Sequence, residues 1–344
     1  IETLWWIFKE IWNKKLLYKS HKVVPWCSRC GTGLSSHELA QGYKEVEDTS
    51  VFVKFKVKAK TAEWKNTSIL SWTTTPWTLP GNLALAINPK IDYVKVKNGN
   101  EFLVLAKSRL EVLGSGYEIA KEFKGKSLIG LSYESLFKIK PLVSKKSYKI
   151  YPADFVSTDE GTGVVHTAVM YGEDDYNLGK KVGLPQHHTV DERGKFTADV
   201  SGFAGMYVKA KETEEKIIEH LQTNNYLLKT ETYKHEYPFC WRCSTPLLYY
   251  ARDSWFIGMS KLRKQLLAEN EKINWIPETI KHGRFGEWLQ EVKDWAVSRE
   301  RYWGTPLPIW ECQKCDNQKV IGSFEELSNL SSQSKNRYIL VRHG

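Results

Sequence analysis

The sequence has no apolar run that approaches the roughly 18–20 residues needed to cross a bilayer as a helix. Its most apolar stretch near the start, Leu4–Phe8, gives way directly to Lys9 and Glu10. The first residues also have neither the basic segment nor the small-residue cleavage site of a secretory signal. These absences exclude a protein with transmembrane helices and predict a soluble, cytoplasmic protein.

No cysteine lies outside a Cys-x-x-Cys pair. The six cysteines form three such pairs: Cys27/Cys30, Cys240/Cys243 and Cys312/Cys315. The cysteines of a small disulfide-stabilised secreted domain would not be grouped in this way, so that class is excluded. Two thiolates three residues apart can occupy two corners of a tetrahedral zinc site. The pairs therefore favour metal binding, and a redox role stays open for one of them.

The first two cysteine pairs share a longer pattern. Residues 25–32 and 238–245 each contain a proline, an aromatic residue, Cys-x-Arg-Cys, a small residue and a threonine. The segment around Cys312 and Cys315 lacks that form, so we expect this pair to be half of a second site. The long separation of the first two pairs is a weak objection to a shared ion, because closure entropy grows slowly with loop length. One zinc site is therefore predicted from Cys27, Cys30, Cys240 and Cys243.

Chain length and net charge give first indications of domain number and partners. The chain has 344 residues, with 50 Lys and Arg against 40 Asp and Glu, and a formal net charge of +10. This length is typical of about two domains. The positive charge makes nucleic acid a natural partner, although it does not establish one.

Apolar spacing and turn residues predict the secondary structure. Residues 3–18 have the pattern of an amphipathic helix, and 53–60 that of a half-buried strand with lysines on its other face. A solvated face explains that lysine row better than an RNA-binding track. Further elements are predicted as follows: strands at 69–72, 83–87 and 163–170, a hairpin of 93–97 and 101–105, a helix capped by Thr213, and a helix at 260–270.

Two polar stretches are candidates for chemistry. Residues 71–82 leave a predicted strand with the hydroxyls of Thr73, Thr74 and Thr75 and reach the amide of Asn82. These hydroxyl and amide groups could bind a ligand with many oxygen atoms. The alternative is a threonine-rich sheet edge with no ligand, which would have the same composition. The second stretch, 161–176, carries His166 and ends in three consecutive acids. A buried core histidine and an exposed helix start explain it equally well.

These stretches together resemble the isoleucyl-tRNA synthetases, a family of class I aminoacyl-tRNA synthetases. The run Thr-Thr-Thr-Pro-Trp at 73–77 is specific, because the related valyl and leucyl enzymes have arginine where Thr75 stands. Gly81 and Val169-Met170 depart from the usual family pattern. The matching segments are Leu4–Trp6, Cys27–Cys30, Trp72–Asn82, His166–Tyr176, Val190–Glu192, Pro238–Cys243 and Asp294–Pro306.

The resemblance implies an α/β fold with a β-rich inserted editing domain, a β-barrel flanked by helices. Zinc knuckles would lie at its base, next to part of a class I Rossmann catalytic core. The implied activity is hydrolysis of mischarged valyl-tRNA(Ile), which is needed because one missing methylene gives only weak discrimination at a binding site. The implied partners are the acceptor end of tRNA(Ile), isoleucine, valine and the remainder of the synthetase, with no membrane and a monomeric state.

The resemblance also assigns roles to single residues. Asp175 is expected to bind the ammonium group of the misattached amino acid, and His166 to exclude isoleucine by size. Asn82 is expected to support the terminal nucleotide or a water molecule. Thr73, Thr74 and Thr75 are expected to line the pocket and position the ester or its water. No side-chain nucleophile is required, since an aminoacyl ester is already activated and a positioned water suffices.

Expected domain boundaries follow from the same resemblance. They are 1–45 for a connective helix and first knuckle, 46–232 for the editing domain, 233–257 for the second knuckle, 258–327 for the return into the catalytic core, and 328–344 for a linker. The last residues, 338–344, resemble the start of a histidine-phosphatase-like domain, with His343 as phosphoryl acceptor and Arg342 as phosphate ligand. A coincidental strand end is the alternative.

The two ATP-binding signatures of class I synthetases, HIGH and KMSKS, are absent from this sequence. The family pattern would place them before residue 1 and after residue 344, so ATP and Mg²⁺ are expected to serve only the full-length enzyme. Two alternatives stay open. One is the editing region of a valyl or leucyl relative, which Thr75 disfavours. The other is a zinc-stabilised tRNA-binding module without hydrolytic activity.

Overall fold

A computed structural model describes residues 1–59, 61–298, 305–315 and 317–333. The sequence predictions for Arg342 and His343 therefore lie outside the described residues, as does part of the segment that matches at 294–306. None of the helices within the described ranges is long and apolar enough to span a lipid bilayer.

The described residues form eight α-helices and fifteen strands. The helices are α1 Glu2–Asn13, α2 Ser36–Ala40, α3 Glu173–Val182, α4 Lys211–Thr223, α5 Arg263–Glu271, α6 Thr279–His282, α7 Arg284–Gln290 and α8 Phe324–Gln333. The strands are β1 Leu17–Cys27, β2 Thr32–Gly33, β3 Tyr43–Lys56, β4 Thr67–Thr73, β5 Ala84–Ile87, β6 Asp92–Asn98, β7 Glu101–Ala106, β8 Tyr117–Lys124, β9 Lys149–Pro152, β10 Val164–Thr167, β11 Leu227–Pro238, β12 Leu248–Ile257, β13 Trp295–Ala296, β14 Ile309–Glu311 and β15 Gln318–Val320.

The chain divides into two compact units. One is made of residues 1–22 and 252–344, and the other is the continuous segment 23–251. In the first unit, Phe8 of α1 joins a small apolar core with Trp255 and Ile309. The ring of Trp5 meets Trp310 edge-on at 6.2 Å, and Lys9 forms a 2.9 Å ion pair with Glu326 of α8. These contacts hold the two ends of the described chain together within this unit.

The second unit is built on a six-stranded sheet with the order β11-β3-β4-β7-β6-β8. The long antiparallel pair of β3 and β11 starts at Tyr43 opposite Pro238 and runs to Val53 opposite Leu227. A second sheet has the order β10-β5-β9. The Ser71 hydroxyl donates to the Val164 carbonyl oxygen at 2.8 Å and so joins β4 of the first sheet to β10 of the second. The strand pairings of the described residues form four sheets in all, the other two having the orders β13-β12-β1-β2 and β14-β15, and they show no closed barrel.

The hairpin of β6 and β7 has the predicted position. Asn98 and Glu101 pair across a two-residue loop, and Gly99 adopts φ +59°, a left-handed conformation that favours glycine. The predicted strands at 69–72 and 83–87 are also confirmed, as parts of β4 and β5.

The lysine row of 53–60 is not a solvated face along its whole length. Lys54 is only 3% exposed, and its Nζ lies 2.8 Å from both Glu101 Oε1 and Asn225 Oδ1. The prediction fails because both faces of β3 are covered. Phe52, on the same face as Lys54, belongs to a second apolar cluster with Leu70 and Val112, and Val112 lies in the 3₁₀ segment Lys107–Leu113.

Three predicted boundaries are wrong. The first helix ends at Asn13 rather than 18, because Lys15 takes φ +56° and β1 starts at Leu17. Thr213 does not cap its helix: Ala210 is the N-cap, and the buried Thr213 hydroxyl donates to the Tyr207 carbonyl oxygen. The strand predicted at 163–170 ends at Thr167. The helix predicted at 260–270 is confirmed in substance, as α5 preceded by a 3₁₀ turn.

Candidate functional site

The first two cysteine pairs lie together in the second unit. One sulfur from each of Cys27, Cys30, Cys240 and Cys243 lies within 4.8 Å of the other three. Their two loops have matching backbone hydrogen bonds: Gly31 N–H donates to the Cys27 carbonyl oxygen, and Ser244 N–H to that of Cys240. Gly31 and Ser244 both adopt a left-handed conformation, with φ +63° and +55°. The sequence likeness of the two loops is therefore a likeness of structure.

These four thiols suit one tetrahedral ion. A Zn–S bond of about 2.3 Å gives sulfur–sulfur edges of roughly 3.8 Å, and Cys27 Sγ lies 3.5 Å from Cys243 Sγ. Burial raises the pKa of Cys27. Burial acts on Cys243 in the same direction, but its hydrogen bonds with Thr245, Cys27 and Cys30 together outweigh burial and lower the pKa of Cys243 to about 6. The four thiols lie in an apolar surround that includes Leu34 and Leu247.

The third pair is separate from this cluster. Cys312 and Cys315 are exposed, in the turn between β14 and β15 of the first unit. Among the described residues they belong to no group of three or more potential ligands. Asp316, between that turn and β15, lies outside the described residues.

The threonine stretch forms a tight turn at the end of β4. Thr73 is the last strand residue, and Thr75 is the N-cap of a 3₁₀ helix that begins at Pro76. The hydroxyls of Thr73 and Thr75 lie 3.2 Å apart, and the Thr75 N–H donates to Thr73 Oγ1 at 3.1 Å. Thr73, Thr74 and Thr75 are partly exposed. The turn therefore leaves three threonines in a row partly accessible to solvent.

Behind this turn a chain of buried side chains reaches His166. His166 lies on β10, opposite Leu85 of β5, and is 8% exposed. Its Nε2 lies 2.8 Å from Thr78 Oγ1, and its Nδ1 lies 3.4 Å from Asn82 Nδ2. Burial lowers the pKa of His166 to about 4. The ring is therefore neutral at physiological pH and is engaged at both nitrogens.

Asn82 and Thr78 are themselves fixed. Thr78 Oγ1 donates to the Thr75 carbonyl oxygen at 2.8 Å. Asn82 Nδ2 donates to the Ala84 carbonyl oxygen at 3.0 Å, and its Oδ1 accepts from the Tyr133 hydroxyl at 2.7 Å. Thr78 and Tyr133 were missed as site residues by sequence reasoning. Thr78 offered a weak signal, since it lies within the matching segment Trp72–Asn82, whereas nothing local to Tyr133 indicated its role.

Asp175 lies in the first turn of α3, close along the chain to β10. Its Oδ2 accepts from the Ala168 N–H at 3.3 Å. Burial raises the pKa of Asp175 to about 7, against the opposing effect of that hydrogen bond. No cationic side chain within the described residues pairs with Asp175, so none there offsets the effect of burial on its charged form.

The turn that carries Asp175 packs against the threonine turn. The rings of Trp77 and Tyr171 meet edge-on with centroids 5.2 Å apart. Tyr171 is held in place because its hydroxyl accepts from the N–H groups of Thr189 and Val190 at 2.7 and 2.8 Å. The structure therefore brings Thr73 into contact with Thr75 and Asn82 into contact with His166. Within the described residues, Asp175 is linked to them only through its own segment, by the packing of Tyr171 on Trp77.

Comparison with known families now identifies the class of protein. The model of a family described as tRNA synthetases class I (I, L, M and V) matches residues 1–342. The chain therefore belongs to the class I tRNA synthetases, which confirms the family resemblance seen in the sequence.

Two relatives of high similarity are isoleucine–tRNA ligases. The chain is 53% identical over 327 residues to the isoleucine–tRNA ligase of Clostridium acetobutylicum, and 48% identical over 329 residues to that of Thermus thermophilus. Each match covers 95% of this chain and 31% of the relative. The chain thus spans about a third of the length of the curated relatives it matches. Its similarity is to the isoleucine branch of the family.

One solved structure of related type is the cytosolic leucyl-tRNA synthetase editing domain of P. knowlesi. It has a TM-score of 0.41 and 14% identity, and the match covers 56% of this chain and 99% of that one. Likeness at this level carries no argument about the present site.

Proposed function

We propose that this chain is the editing region of an isoleucine–tRNA ligase and that it hydrolyses valine wrongly esterified to tRNA(Ile). The observation that carries the proposal is the juxtaposition of two turns. The partly exposed hydroxyls of 73–75 end one strand, and Asp175 follows the neighbouring strand β10. Packing of Trp77 on Tyr171 ties these turns together. Membership of the class I synthetases and identity to isoleucine–tRNA ligases support the choice of substrate.

Asp175 would recognise the free ammonium group of the aminoacyl ester. Burial raises its pKa to about 7, and no cationic side chain in the described part of the chain pairs with it. An ammonium group at hydrogen-bond distance would offset the burial and favour the carboxylate. Binding of the ammonium group and ionisation of Asp175 would thus favour each other. An ester with a free amino group would therefore bind better than one whose acyl group is uncharged.

The threonine row would hold the ester carbonyl or the attacking water. Hydroxyls can donate and accept, so Thr73, Thr74 and Thr75 suit both tasks. An aminoacyl ester needs no covalent intermediate for hydrolysis, because a water held in line with the carbonyl is sufficient. His166 would set the length of the amino-acid pocket, admitting valine and rejecting isoleucine.

We further propose that Cys27, Cys30, Cys240 and Cys243 bind one Zn²⁺ ion. The ion would crosslink the start and end of the segment between them at the base of the editing domain. ATP and Mg²⁺ would serve the aminoacylation half of the full-length enzyme, which we place in the cytoplasm with tRNA(Ile), isoleucine and valine. We also propose that residues 46–232 are the editing domain and that residues 258–327 belong to a Rossmann core.

The test is deacylation by the purified 344-residue chain. Valyl-tRNA(Ile) and isoleucyl-tRNA(Ile) are offered separately, and the release of free amino acid is followed. We expect valine to be released faster than isoleucine, and Asp175→Ala to abolish the difference by slowing valine release. Glu173→Gln, an exposed neighbour in the same turn, is the matched control. Tight binding of tRNA without release of either amino acid would identify a non-hydrolytic binding module instead.

A further inference from the structure

We propose that Asn82 is a positioning residue that fixes His166 in the Nε2–H tautomer, so that neither ring nitrogen is free to act on a substrate. The functional half of this inference rests on the proposed editing activity, whereas the tautomer does not. Asn82 is 3% exposed, so it acts through the histidine rather than on a ligand.

The orientation of the Asn82 amide is decided by a backbone carbonyl. A carbonyl oxygen can only accept, and the one of Ala84 lies 3.0 Å from Asn82 Nδ2. A flipped amide would place Oδ1 against that oxygen and lose the bond. On the other side Oδ1 accepts from the Tyr133 hydroxyl at 2.7 Å. The amide nitrogen therefore faces both Ala84 and His166.

The amide then decides the tautomer. Asn82 Nδ2 lies 3.4 Å from His166 Nδ1, and an amide N–H₂ group can only donate. His166 Nδ1 must be the acceptor, so the ring proton lies on Nε2. A proton on Nδ1 would place two donors face to face in a buried site, where an unpaired polar group is costly.

The far side of the ring accommodates the same tautomer. The single hydroxyl proton of Thr78 is used in donation to the Thr75 carbonyl oxygen at 2.8 Å. Thr78 Oγ1 therefore accepts from His166 Nε2–H, also at 2.8 Å. Donation thus runs in one direction, from Asn82 through His166 and Thr78 to the backbone of the threonine turn.

Two consequences follow for the pocket. His166 cannot remove a proton from water, because its only basic nitrogen, Nδ1, already accepts from Asn82. Its ring is instead a fixed wall, held from both sides at a set distance from Thr75. The side chain of Asn82 sets that distance indirectly, and a change at Asn82 should alter size selection more than it alters the rate with valine.

The tautomer is measurable without any substrate. Long-range ¹H–¹⁵N spectra of the full 344-residue chain, labelled with ¹⁵N-histidine, distinguish the two neutral tautomers and the imidazolium. A His166→Gln spectrum assigns the signal among the nine histidines. We expect the Nε2–H tautomer at neutral pH. An Nδ1–H ring or an imidazolium would overturn the proposal, whatever any variant does.

Asn82→Asp tests the cause, since it replaces the donor at Nδ1 by an acceptor of the same shape. We expect His166 to change to the Nδ1–H or the imidazolium form. An unchanged Nε2–H ring would show that Asn82 does not set the tautomer. Asn270→Asp is the matched control, because Asn270 is also buried, donates to the Lys281 carbonyl oxygen and accepts from Trp275. It should leave the His166 signal unchanged. If Asn82→Asp fails to fold, the wild-type spectrum still decides the tautomer.

Activity separates this inference from the proposed function. In Asn82→Asp we expect the ratio of kcat/KM for valyl- over isoleucyl-tRNA(Ile) to fall by about tenfold, as for the loss of about one buried hydrogen bond. In Asn270→Asp the ratio should stay unchanged. An Nε2–H ring in a chain that releases neither amino acid would refute the editing function alone. Editing with an Nδ1–H ring would refute the positioning role alone.

Discussion

Thr78 Oγ1 lies 2.8 Å from His166 Nε2, although the two residues are 88 positions apart in the chain. The same oxygen donates to the Thr75 carbonyl, so one hydroxyl joins the threonine turn to β10. Thr78 is 6% exposed, and solvent cannot replace it as a partner. This hydroxyl therefore helps to set the position of the threonine row relative to His166, together with the bond from Ser71 to the Val164 carbonyl oxygen.

Thr78→Val should destabilise the chain by about 1–3 kcal/mol, because it keeps the shape but leaves a buried imidazole N–H without an acceptor. Urea unfolding measures this loss. The variant should also lose preference for valyl-tRNA(Ile). Thr213→Val removes another buried hydroxyl-to-carbonyl bond and serves as the control. It should lose stability and retain the preference. A Thr78→Val variant as stable as the wild type would contradict the role assigned to this hydroxyl.

Asp175 should make stability depend on pH. Its pKa is raised from the ordinary 3.8 to about 7, mainly by burial, so the folded state binds more protons than the unfolded state between these values. The stability contributed by the protonated carboxyl is full below pH 3.8 and is lost as the pH rises through about 7. Asn cannot ionise, so Asp175→Asn does not lose this stability. The unfolding free energy of Asp175→Asn minus that of the wild type should therefore increase from pH 5 to pH 8.

Urea unfolding at several pH values measures this difference. Glu173→Gln removes an exposed carboxylate from the same turn, and its stability relative to the wild type should change little over the range. A constant difference between Asp175→Asn and the wild type would show that Asp175 ionises as freely as a solvated carboxyl group.

Local patterns predicted the local parts of this fold. The β6–β7 hairpin follows from alternation and from Asn98-Gly99, because both act between near neighbours in the chain. The prediction that Lys54 lies on a solvated face was wrong because its burial depends on distant residues. The Lys107–Leu113 segment that helps cover its face of β3 is about 50 residues away in sequence, and alternation in one strand carries no information about it.

The candidate site shows the same division. The residues that resemble a family motif, such as Thr75 and His166, were found from the sequence. Their connection was not found, because it runs through Thr78 and through the Tyr133 hydroxyl on Asn82, and both are side-chain bonds between distant segments. The matched cysteine loops were predictable as a pair because their likeness is itself local.

Gly81→Ala should be destabilising by about 1 kcal/mol. An added Cβ would lie 3.0 Å from Tyr171 Cε2 and 3.4 Å from Thr189 Oγ1. Tyr171 cannot easily withdraw, because its hydroxyl accepts from two backbone N–H groups. Gly202→Ala, where added atoms meet open space, controls for the size change but takes a left-handed φ of +82°.

The double variant Gly81→Ala, Tyr171→Phe is therefore the better comparison for Gly81. Loss of the hydroxyl frees the ring to move, so alanine should cost less in this background than in the wild type. The measurement is a double-mutant cycle by urea unfolding. Additive free energies would show that the Tyr171 ring does not oppose the alanine.

The chain should hold one zinc ion, and the ion should be essential for the fold of the second unit. The four clustered sulfurs fit a single tetrahedral centre. Binding energy at such a site is folding energy, so a chelator should lower the unfolding temperature, and added Zn²⁺ should restore it.

Cys243→Ser should reduce the metal content below one per chain. The double variant Cys312→Ser, Cys315→Ser should retain one zinc and the same unfolding temperature, because those exposed thiols lie outside the cluster. Two zinc ions per chain by atomic absorption, or loss of the ion from the double variant, would assign a metal to the third pair instead.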